Sequence, residues 1–254
     1  MLHKNLVIDI MVPFIGTAAG AAAVFFMKKA LNKSVELILS GFAAGVMTAS
    51  AVWSLLLPAL EQSEDMNIPA FIPPTAGFLG GVFVFILIDK LLAVFEKSFM
   101  KKNNAANSTS MLIFAVTIHN IPEGMAVGII CAEALLYGTD SAFAAAAALS
   151  TGIAIQNLPE GAIVSLPYKA GGAGKLKSFL VGLFSGAVEP VAAFSALIAA
   201  HYVVGLMPYF LSFAAGAMFF VVVNELIPKA NTKTGAAVFA LGFVVMMSLD
   251  VIFG

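Results

Sequence analysis

The sequence predicts an all-α membrane protein with about eight transmembrane helices. Of its 254 residues, 61% are hydrophobic and only 11% are charged, and the mean hydropathy is +1.00. A soluble domain is about a quarter charged, and a transmembrane helix needs about 20 apolar residues, so this length accommodates eight. The apolar runs are continuous and do not alternate over ten-residue segments, which favours helices over a β-barrel.

Polar breaks divide the chain into eight predicted spans, which we number in chain order. The spans are 6–27, 35–60, 71–95, 111–135, 141–168, 177–202, 206–228 and 235–253. We expect them to form one transmembrane domain over residues 1–254, with 96–110 as a polar cytoplasmic linker. The first apolar run is long and lacks a small-residue cleavage site, so we expect a span there and no cleaved signal peptide.

The lysines predict the orientation of these spans. Every lysine except Lys4 lies at the end of, or after, an odd-numbered span, and the chain contains no arginine. The loops after spans 2 and 4 carry acids instead, among them Glu64 and Asp140. Short lysine-rich loops stay in the cytoplasm. Both termini are therefore predicted to face outward, and the predicted location is a bacterial cytoplasmic (inner) membrane.

The charge and the cysteine count exclude several classes of partner. The net charge is −1 and no basic tract occurs, so no nucleic-acid partner is expected. Cys131 is the only cysteine, which leaves no disulfide framework and no CxxC motif. The lipid bilayer is an obligate partner, and no prosthetic cofactor is predicted. Exposed small-residue faces permit a homodimer without requiring one.

Two spans that run in opposite directions share a sequence pattern. Span 2 contains GFAAGVM (41–47) and later a proline, Pro58, whereas span 7 contains SFAAGAM (212–218) and later Pro228. The distance from the first element to the proline differs by one residue between the spans. Inverted repeats around a midplane site recur in transporters. Chance similarity between helices rich in Ala, Gly and Phe is the alternative.

Two hexapeptides carry the chemistry of the chain, HNIPEG (119–124) in span 4 and QNLPEG (156–161) in span 5. Spacings of three and four residues place the first two polar side chains of each hexapeptide on the same helix face as its glutamate. Each proline removes a helical hydrogen bond and kinks its helix, and each glycine lets neighbouring backbone approach. If the two helices pack antiparallel, six side chains converge inside the membrane: His119, Asn120, Glu123, Gln156, Asn157 and Glu160.

Two further acids lie at a similar predicted depth, Glu189 in span 6 and Glu225 in span 7. A charge at the bilayer centre costs roughly 2.5–3.5 kcal/mol on the lenient scale, so four ionised glutamates would cost on the order of 10 kcal/mol. No lysine lies deep enough in the sequence pattern to neutralise them. We therefore expect several of these glutamates to be protonated, or a cation to lie among them, and both states can alternate in one cycle.

The residue types indicate which cation the site would take. Imidazole, carboxylate and amide donors without a thiolate suit Zn²⁺, Fe²⁺, Mn²⁺, Co²⁺ or Cd²⁺ and argue against Cu⁺. An all-oxygen cage would suit Mg²⁺ or Ca²⁺ better, and the histidine disfavours that choice. The predicted metal-ligating residues are His119, Asn120, Glu123, Gln156, Asn157, Glu160, Glu189 and Glu225. Met47 on the FAAGVM helix offers a thioether as a further ligand, and packing is the alternative role for this side chain.

The two hexapeptides, together with SGAVEP (185–190) in span 6, resemble the ZIP (Zrt/Irt-like) family of divalent metal transporters, and most of all its bacterial GufA-like branch. The resemblance covers the whole chain. It implies metal uptake into the cytoplasm through a 3+2+3 arrangement, in which spans 1–3 and 6–8 are inverted repeats around spans 4 and 5.

The resemblance also implies a division of the ligands. One metal would be bound by His119, Glu123, Gln156 and Glu160, with a contribution from Met47. In some family members a second metal lies next to the first. Here that second site would use Asn120, Asn157 and Glu189, with Glu123 and Glu160 bridging the two ions.

The chain departs from the family pattern at three places. Many members have Asp where this chain has Asn157, so a second metal would meet one negative charge fewer. Members with a similar span 7 often carry His before the glutamate, where this chain has Asn224. The 96–110 linker lacks the frequent histidine cluster, which argues against metal sensing by that loop.

Three other functions compete with transport. An intramembrane metalloenzyme would need an open coordination position and a general base, yet the sequence has no HExxH motif. A proton-coupled carrier of organic solutes would leave His119 and the paired amides without a role. A metal-gated receptor would bind the ion without moving it. We expect a transporter and no enzyme.

Overall fold

The computed structural model describes residues 2–26, 32–100, 106–170, 172–202 and 204–253, and every regular element in these ranges is helical. The α-helices are α1 (Leu2–Ala21), α2 (Ala23–Phe26), α3 (Lys33–Ser50), α4 (Leu57–Ser63), α5 (Ile72–Met100), α6 (Ala106–Tyr137), α7 (Asp140–Ala170), α8 (Lys175–Gly186), α9 (Val188–Tyr202), α10 (Met207–Val221), α11 (Ile227–Lys229) and α12 (Lys233–Phe253). Two π-helical segments, π1 (Ala51–Leu56) and π2 (Val222–Leu226), and a 3₁₀ turn (Val204–Leu206) connect some of them.

The predicted all-α membrane fold is confirmed. Within the described residues, seven stretches are long and apolar enough to cross a membrane, and they match spans 1, 2, 3, 5, 6, 7 and 8. Span 4 corresponds to α6, which is 32 residues long. The chain is therefore an integral membrane protein, whereas the membrane that it occupies and the orientation of its termini stay predictions.

Two predicted boundaries differ from the structure. Helix α5 continues to Met100 and α6 begins at Ala106, so the predicted linker 96–110 is helical at both ends, and 101–105 lie outside the described residues. The described ends of this polar stretch contain neither Gly nor Pro, which is compatible with their helical conformation. Span 6 divides into α8 and α9 at Ala187, where Pro190 cannot donate to the carbonyl of Gly186.

Four helix pairs dominate the packing, and they are related to one another. Span 1 packs on span 5 (α1 on α7), span 4 on span 6 (α6 on α9), span 2 on span 8 (α3 on α12) and span 3 on span 7 (α5 on α10). Exchanging spans 1 and 6, 2 and 7, 3 and 8, and 4 and 5 turns each pair into another of the four. The 3+2+3 inverted repeat remains a prediction, which this pairing supports.

The FAAG pattern shared by spans 2 and 7 makes the same kind of contact in both. A methyl group on Gly45 would overlap the carbonyl oxygen of Phe239 in span 8, and one on Gly216 would overlap that of Phe78 in span 3. Only glycine permits so close an approach of two helix backbones. The shared sequence pattern of spans 2 and 7 therefore corresponds to the same kind of helix packing.

The one-residue difference in spacing between these two spans also has a structural counterpart. Segment π1 has six residues and π2 has five, and each leads into the turn that contains its proline, Pro58 or Pro228. In both, the residue before the proline donates its backbone N–H to a carbonyl five positions earlier. The longer π segment accommodates the extra residue of span 2.

The helices form two groups, each with members from both halves of the chain. Spans 1, 4, 5 and 6 all contact one another, whereas spans 2, 3, 7 and 8 are joined through span 2, which contacts the other three, and through the packing of span 3 on span 7. Between the groups, α7 contacts α3 and α6 contacts α10. The main hydrophobic core contains residues of both groups. The two hexapeptides lie in the first group.

Candidate metal site

The two hexapeptides face each other because a short turn joins their helices. Helix α6 ends at Tyr137 and α7 begins at Asp140, and Gly138 between them has a positive φ of 64°. Glycine adopts this conformation without strain. So short a connection makes α6 and α7 antiparallel neighbours, and both remain helical through Pro122 and Pro159.

The polar side chains of this region are buried. The side chains of Asn120, Glu123, Gln156 and Asn157 are fully inaccessible, that of Glu189 is 1% exposed and that of Glu160 is 9% exposed. The three carboxylates also lie within electrostatic range of one another, since Glu123 interacts with both Glu160 and Glu189. We call these six residues the carboxamide cluster.

Glu189 anchors the cluster through three donors from three helices. Thr17 Oγ1 of α1 donates to Glu189 Oε1 over 2.7 Å, and Asn120 Nδ2 of α6 donates to the same oxygen over 3.1 Å. Asn157 Nδ2 of α7 donates to Glu189 Oε2 over 2.9 Å. Both carboxylate oxygens therefore already accept hydrogen bonds, and Glu189 orients the two asparagines.

A further hydrogen bond joins the two hexapeptides to each other directly. Gln156 Nε2 donates to Glu123 Oε1 over 2.7 Å. A carboxylate only accepts, so the amide nitrogens of Asn120, Asn157 and Gln156 face the carboxylates and their oxygens face away. The network thus fixes the direction of each amide oxygen.

Three amide oxygens and two carboxylate oxygens of the cluster lack a donor. Among the described residues, no hydrogen-bond partner is found for the buried atoms Asn120 Oδ1, Glu123 Oε2, Gln156 Oε1, Asn157 Oδ1 and Glu160 Oε2. A buried acceptor without a donor is costly, about 1–3 kcal/mol each. A bound cation would satisfy several of them at once. The cluster therefore has the chemistry of an oxygen-rich cation site.

Carboxylates alone do not complete such a site. The described residues contain no group of three or more His, Cys, Asp or Glu side chains placed to hold a metal ion. A metal in the cluster would depend on the amide oxygens and on the imidazole of His119. His119 lies on α6, but its side chain is outside the described part of the chain.

Two further predicted ligands, Met47 and Glu225, are not among the six residues of the cluster. Met47 is fully buried in the main hydrophobic core and is not a member of the hydrogen-bonded network that the described residues form. Glu225 lies on π2 and pairs with Lys229, with 3.9 Å between Glu225 Oε2 and Lys229 Nζ. Glu225 and Lys229 both lie within electrostatic range of Glu160.

Thr17 is the residue that sequence reasoning missed. Its only sequence signal is a hydroxyl within the small-residue stretch GTAAG (16–20) of span 1. Its role depends on Glu189, which is 172 positions away in the sequence. The spacing rules of a single helix cannot reveal such a partner.

The comparisons with known proteins place the chain in a family. No family model matches it. The zinc transporter ZIP11 of Xenopus tropicalis is 35% identical, over 92% of this chain and 93% of that protein. The chain belongs to the ZIP family. The zinc transporter ZIPB of Bordetella bronchiseptica is 32% identical over 95% of this chain and 79% of its own length.

The predicted resemblance to this family is thus confirmed, and its relatives include a GufA protein. The zinc transporter GufA of Myxococcus xanthus is 29% identical over 94% of this chain and 96% of that protein. These relatives are named as transporters, which confirms the expectation that this ZIP protein is not an enzyme.

Proposed function

We propose that this ZIP protein carries divalent transition-metal ions, zinc above all, across the membrane into the cytoplasm through the carboxamide cluster. The observation that supports the site most is the set of five buried oxygens without a donor. The names of the relatives support zinc as the cargo. Fe²⁺, Mn²⁺, Cd²⁺ and Co²⁺ are further ions that the same donors suit.

The residues of the cluster have different roles toward the ion. Glu123 and Glu160 supply charge to the ion, and Gln156, Asn120 and Asn157 supply neutral oxygens that hold it less tightly. Glu189 acts through the asparagines that it orients. The five oxygens alone would also suit Mg²⁺ or Ca²⁺, so the imidazole of His119 is the donor that selects a transition metal.

The packing suggests which parts move. One motion that inverted repeats permit is the rocking of one repeat against the other helices. Helices of both halves instead pack into each of the two groups, with the cluster inside spans 1, 4, 5 and 6. We therefore propose that this first group moves with its ion against spans 2, 3, 7 and 8. A cross-link between α3 and α7 should abolish flux, and undiminished flux would exclude this motion.

Two rival functions make less use of the observed hydrogen bonds than transport does. An intramembrane metalloenzyme would keep one coordination position open for water, and a proton-coupled carrier of organic solutes would use the carboxylates as a relay. Neither needs the two asparagines and the glutamine to turn their oxygens away from the carboxylates, as they do here.

The experiment that tests this proposal is Zn²⁺ flux into proteoliposomes that contain a metal-sensitive dye. We expect Glu123→Ala to reduce flux by at least about a hundredfold, since even the outer residues of a metal site cost 10–100-fold when they are changed. Glu64→Ala, at an exposed acid outside the spans, is the matched control and should match the parent protein.

The outcomes of the flux experiment test transport and the site separately. Circular dichroism and gel filtration show whether the variants fold. Absence of Zn²⁺ flux through folded parent protein would refute transport, and equal flux through Glu123→Ala would refute the site. Competition by Fe²⁺, Mn²⁺, Cd²⁺ and Co²⁺ then ranks the cargoes.

A further inference from the structure

Lys229 lies where the carboxamide cluster approaches water. The side chain of Glu123 is fully buried, that of Glu160 is 9% exposed, and those of Glu225 and Lys229 are 27% and 34% exposed. Exposure therefore increases from Glu123 through Glu160 to Glu225 and Lys229. Lys229 pairs with Glu225 over 3.9 Å and also acts electrostatically on Glu160.

The backbone holds this lysine beside the acids. Glu225 lies on π2, and Lys229, four residues later, ends the short turn α11 that follows. Pro228 within α11 fixes the local backbone. A glutamate four residues before a lysine is also the favourable order for a helical ion pair. The ammonium group is therefore placed beside Glu225 by the stretch of backbone that carries both residues.

We infer that Lys229 is a tethered counter-cation that competes with the metal ion for Glu160 and Glu225, and so sets how tightly the ion is held and how fast it leaves. The inference rests on the proposed transport function. Conduction requires binding that is weak enough for release, and three glutamates without a cation would hold a divalent ion strongly. An ammonium group on a flexible stem can pair with a carboxylate as soon as the ion departs.

The test compares three variants of the full-length protein. Lys229→Gln removes the charge, Lys229→Arg keeps it, and Lys233→Gln removes an exposed lysine at the start of α12. We expect Lys229→Gln to lower the Kd for Zn²⁺ by about two- to fivefold, the range for a partly exposed ion pair. The KM and the maximal Zn²⁺ flux should both fall, because the ion binds more tightly and leaves more slowly.

The controls separate this role from a structural one. Lys229→Arg should restore the parent Kd, KM and maximal flux, and Lys233→Gln should leave all three unchanged. Unchanged values in Lys229→Gln, or equal changes in Lys233→Gln, would overturn the inference. A lower maximal flux without a lower Kd would also overturn it, since lost stability alone gives that result.

The same measurements keep the two proposals apart. Zn²⁺ flux of the parent protein decides whether the chain transports at all, and equilibrium Zn²⁺ binding in detergent decides whether Lys229 competes with the ion. A parent that binds Zn²⁺ without flux would refute transport, and the Kd of Lys229→Gln would still decide the role of the lysine. A parent that does not bind Zn²⁺ would overturn both.

Discussion

The two hexapeptides are nearly identical in sequence but differ in their surroundings. Glu123 is fully buried, and one of its oxygens accepts a hydrogen bond from Gln156. Glu160 is slightly exposed and is influenced by Glu225 and Lys229 of another span. A repeated motif thus supplies the same helix face twice, whereas distant residues decide what each glutamate does.

The helix contacts of the two hexapeptides, in contrast, are matched. The last residue of each hexapeptide is a glycine that allows close helix packing, Gly124 against Glu189 and Gly161 against Thr17. These contacts are equivalent under the exchange of spans 4 and 5 and of spans 1 and 6. The packing of the two halves is therefore matched, and the difference between them lies in the polar groups.

The largest expected effect comes from neutralising the two glutamates in turn. Glu123→Gln should abolish Zn²⁺ flux, with a loss above about a hundredfold, because it removes a carboxylate ligand at the most buried point. Glu160→Gln should retain measurable flux, since Glu225 lies near enough to act on that position. The measurement is dye-reported Zn²⁺ flux in proteoliposomes. Equal losses in the two variants would show that the glutamates are equivalent.

An intermediate effect is expected from the two glycines. A Cβ at Gly124 would overlap the carbonyl oxygen of Glu189, and one at Gly161 that of Thr17, so Gly124→Ala and Gly161→Ala should each destabilise the fold by about 1–3 kcal/mol. Thermal unfolding in detergent measures this change.

Gly80→Ala is the matched control for that pair, because its new Cβ would lie 3.8 Å from Phe213 Cδ2, an ordinary contact. It should unfold with the parent protein. Similar losses at Gly124 and Gly161 would support matched packing of the two halves, and a loss at only one of them would contradict it.

The sequence predicted most of the helices and most of the cluster, because both depend on local patterns. Apolar runs mark the spans, and spacings of three and four residues place Asn120 with Glu123 and Asn157 with Glu160 on common faces. The antiparallel packing of spans 4 and 5 follows from the short turn between them.

The features that sequence reasoning did not predict are non-local. The ligand role of Glu189 stays a prediction, and the hydrogen bonds that its two oxygens accept from Thr17 and the asparagines come from other helices. Lys229 is predicted only to mark orientation, and no lysine is expected deep enough to neutralise the acids. Instead, Lys229 pairs with Glu225 and lies within electrostatic range of Glu160, which belongs to another span. The role of Met47 as a thioether ligand stays a prediction, and so does the imidazole of His119.

The smallest expected effect distinguishes the two asparagines. Asn157 Nδ2 donates to Glu189 over 2.9 Å and has only a long 3.4 Å contact with the Pro13 carbonyl, whereas Asn120 Nδ2 donates over 3.1 Å to both Glu189 and the carbonyl of Ser185. Asn157→Asp therefore exchanges one good hydrogen bond for a new charge. Asn120→Asp loses two and places a carboxylate against a carbonyl oxygen.

We accordingly expect Asn157→Asp to raise the amount of Zn²⁺ bound per protein and to be stabilised by added Zn²⁺, because the ion offsets the repulsion from Glu189. Asn120→Asp should be the less stable of the two with and without metal, by about 1 kcal/mol for the additional hydrogen bond lost. Elemental analysis of the metal and thermal unfolding at several Zn²⁺ concentrations measure both effects. The reverse order of stability would show that the Ser185 contact does not hold Asn120, and the two hexapeptides would then be alike at this position.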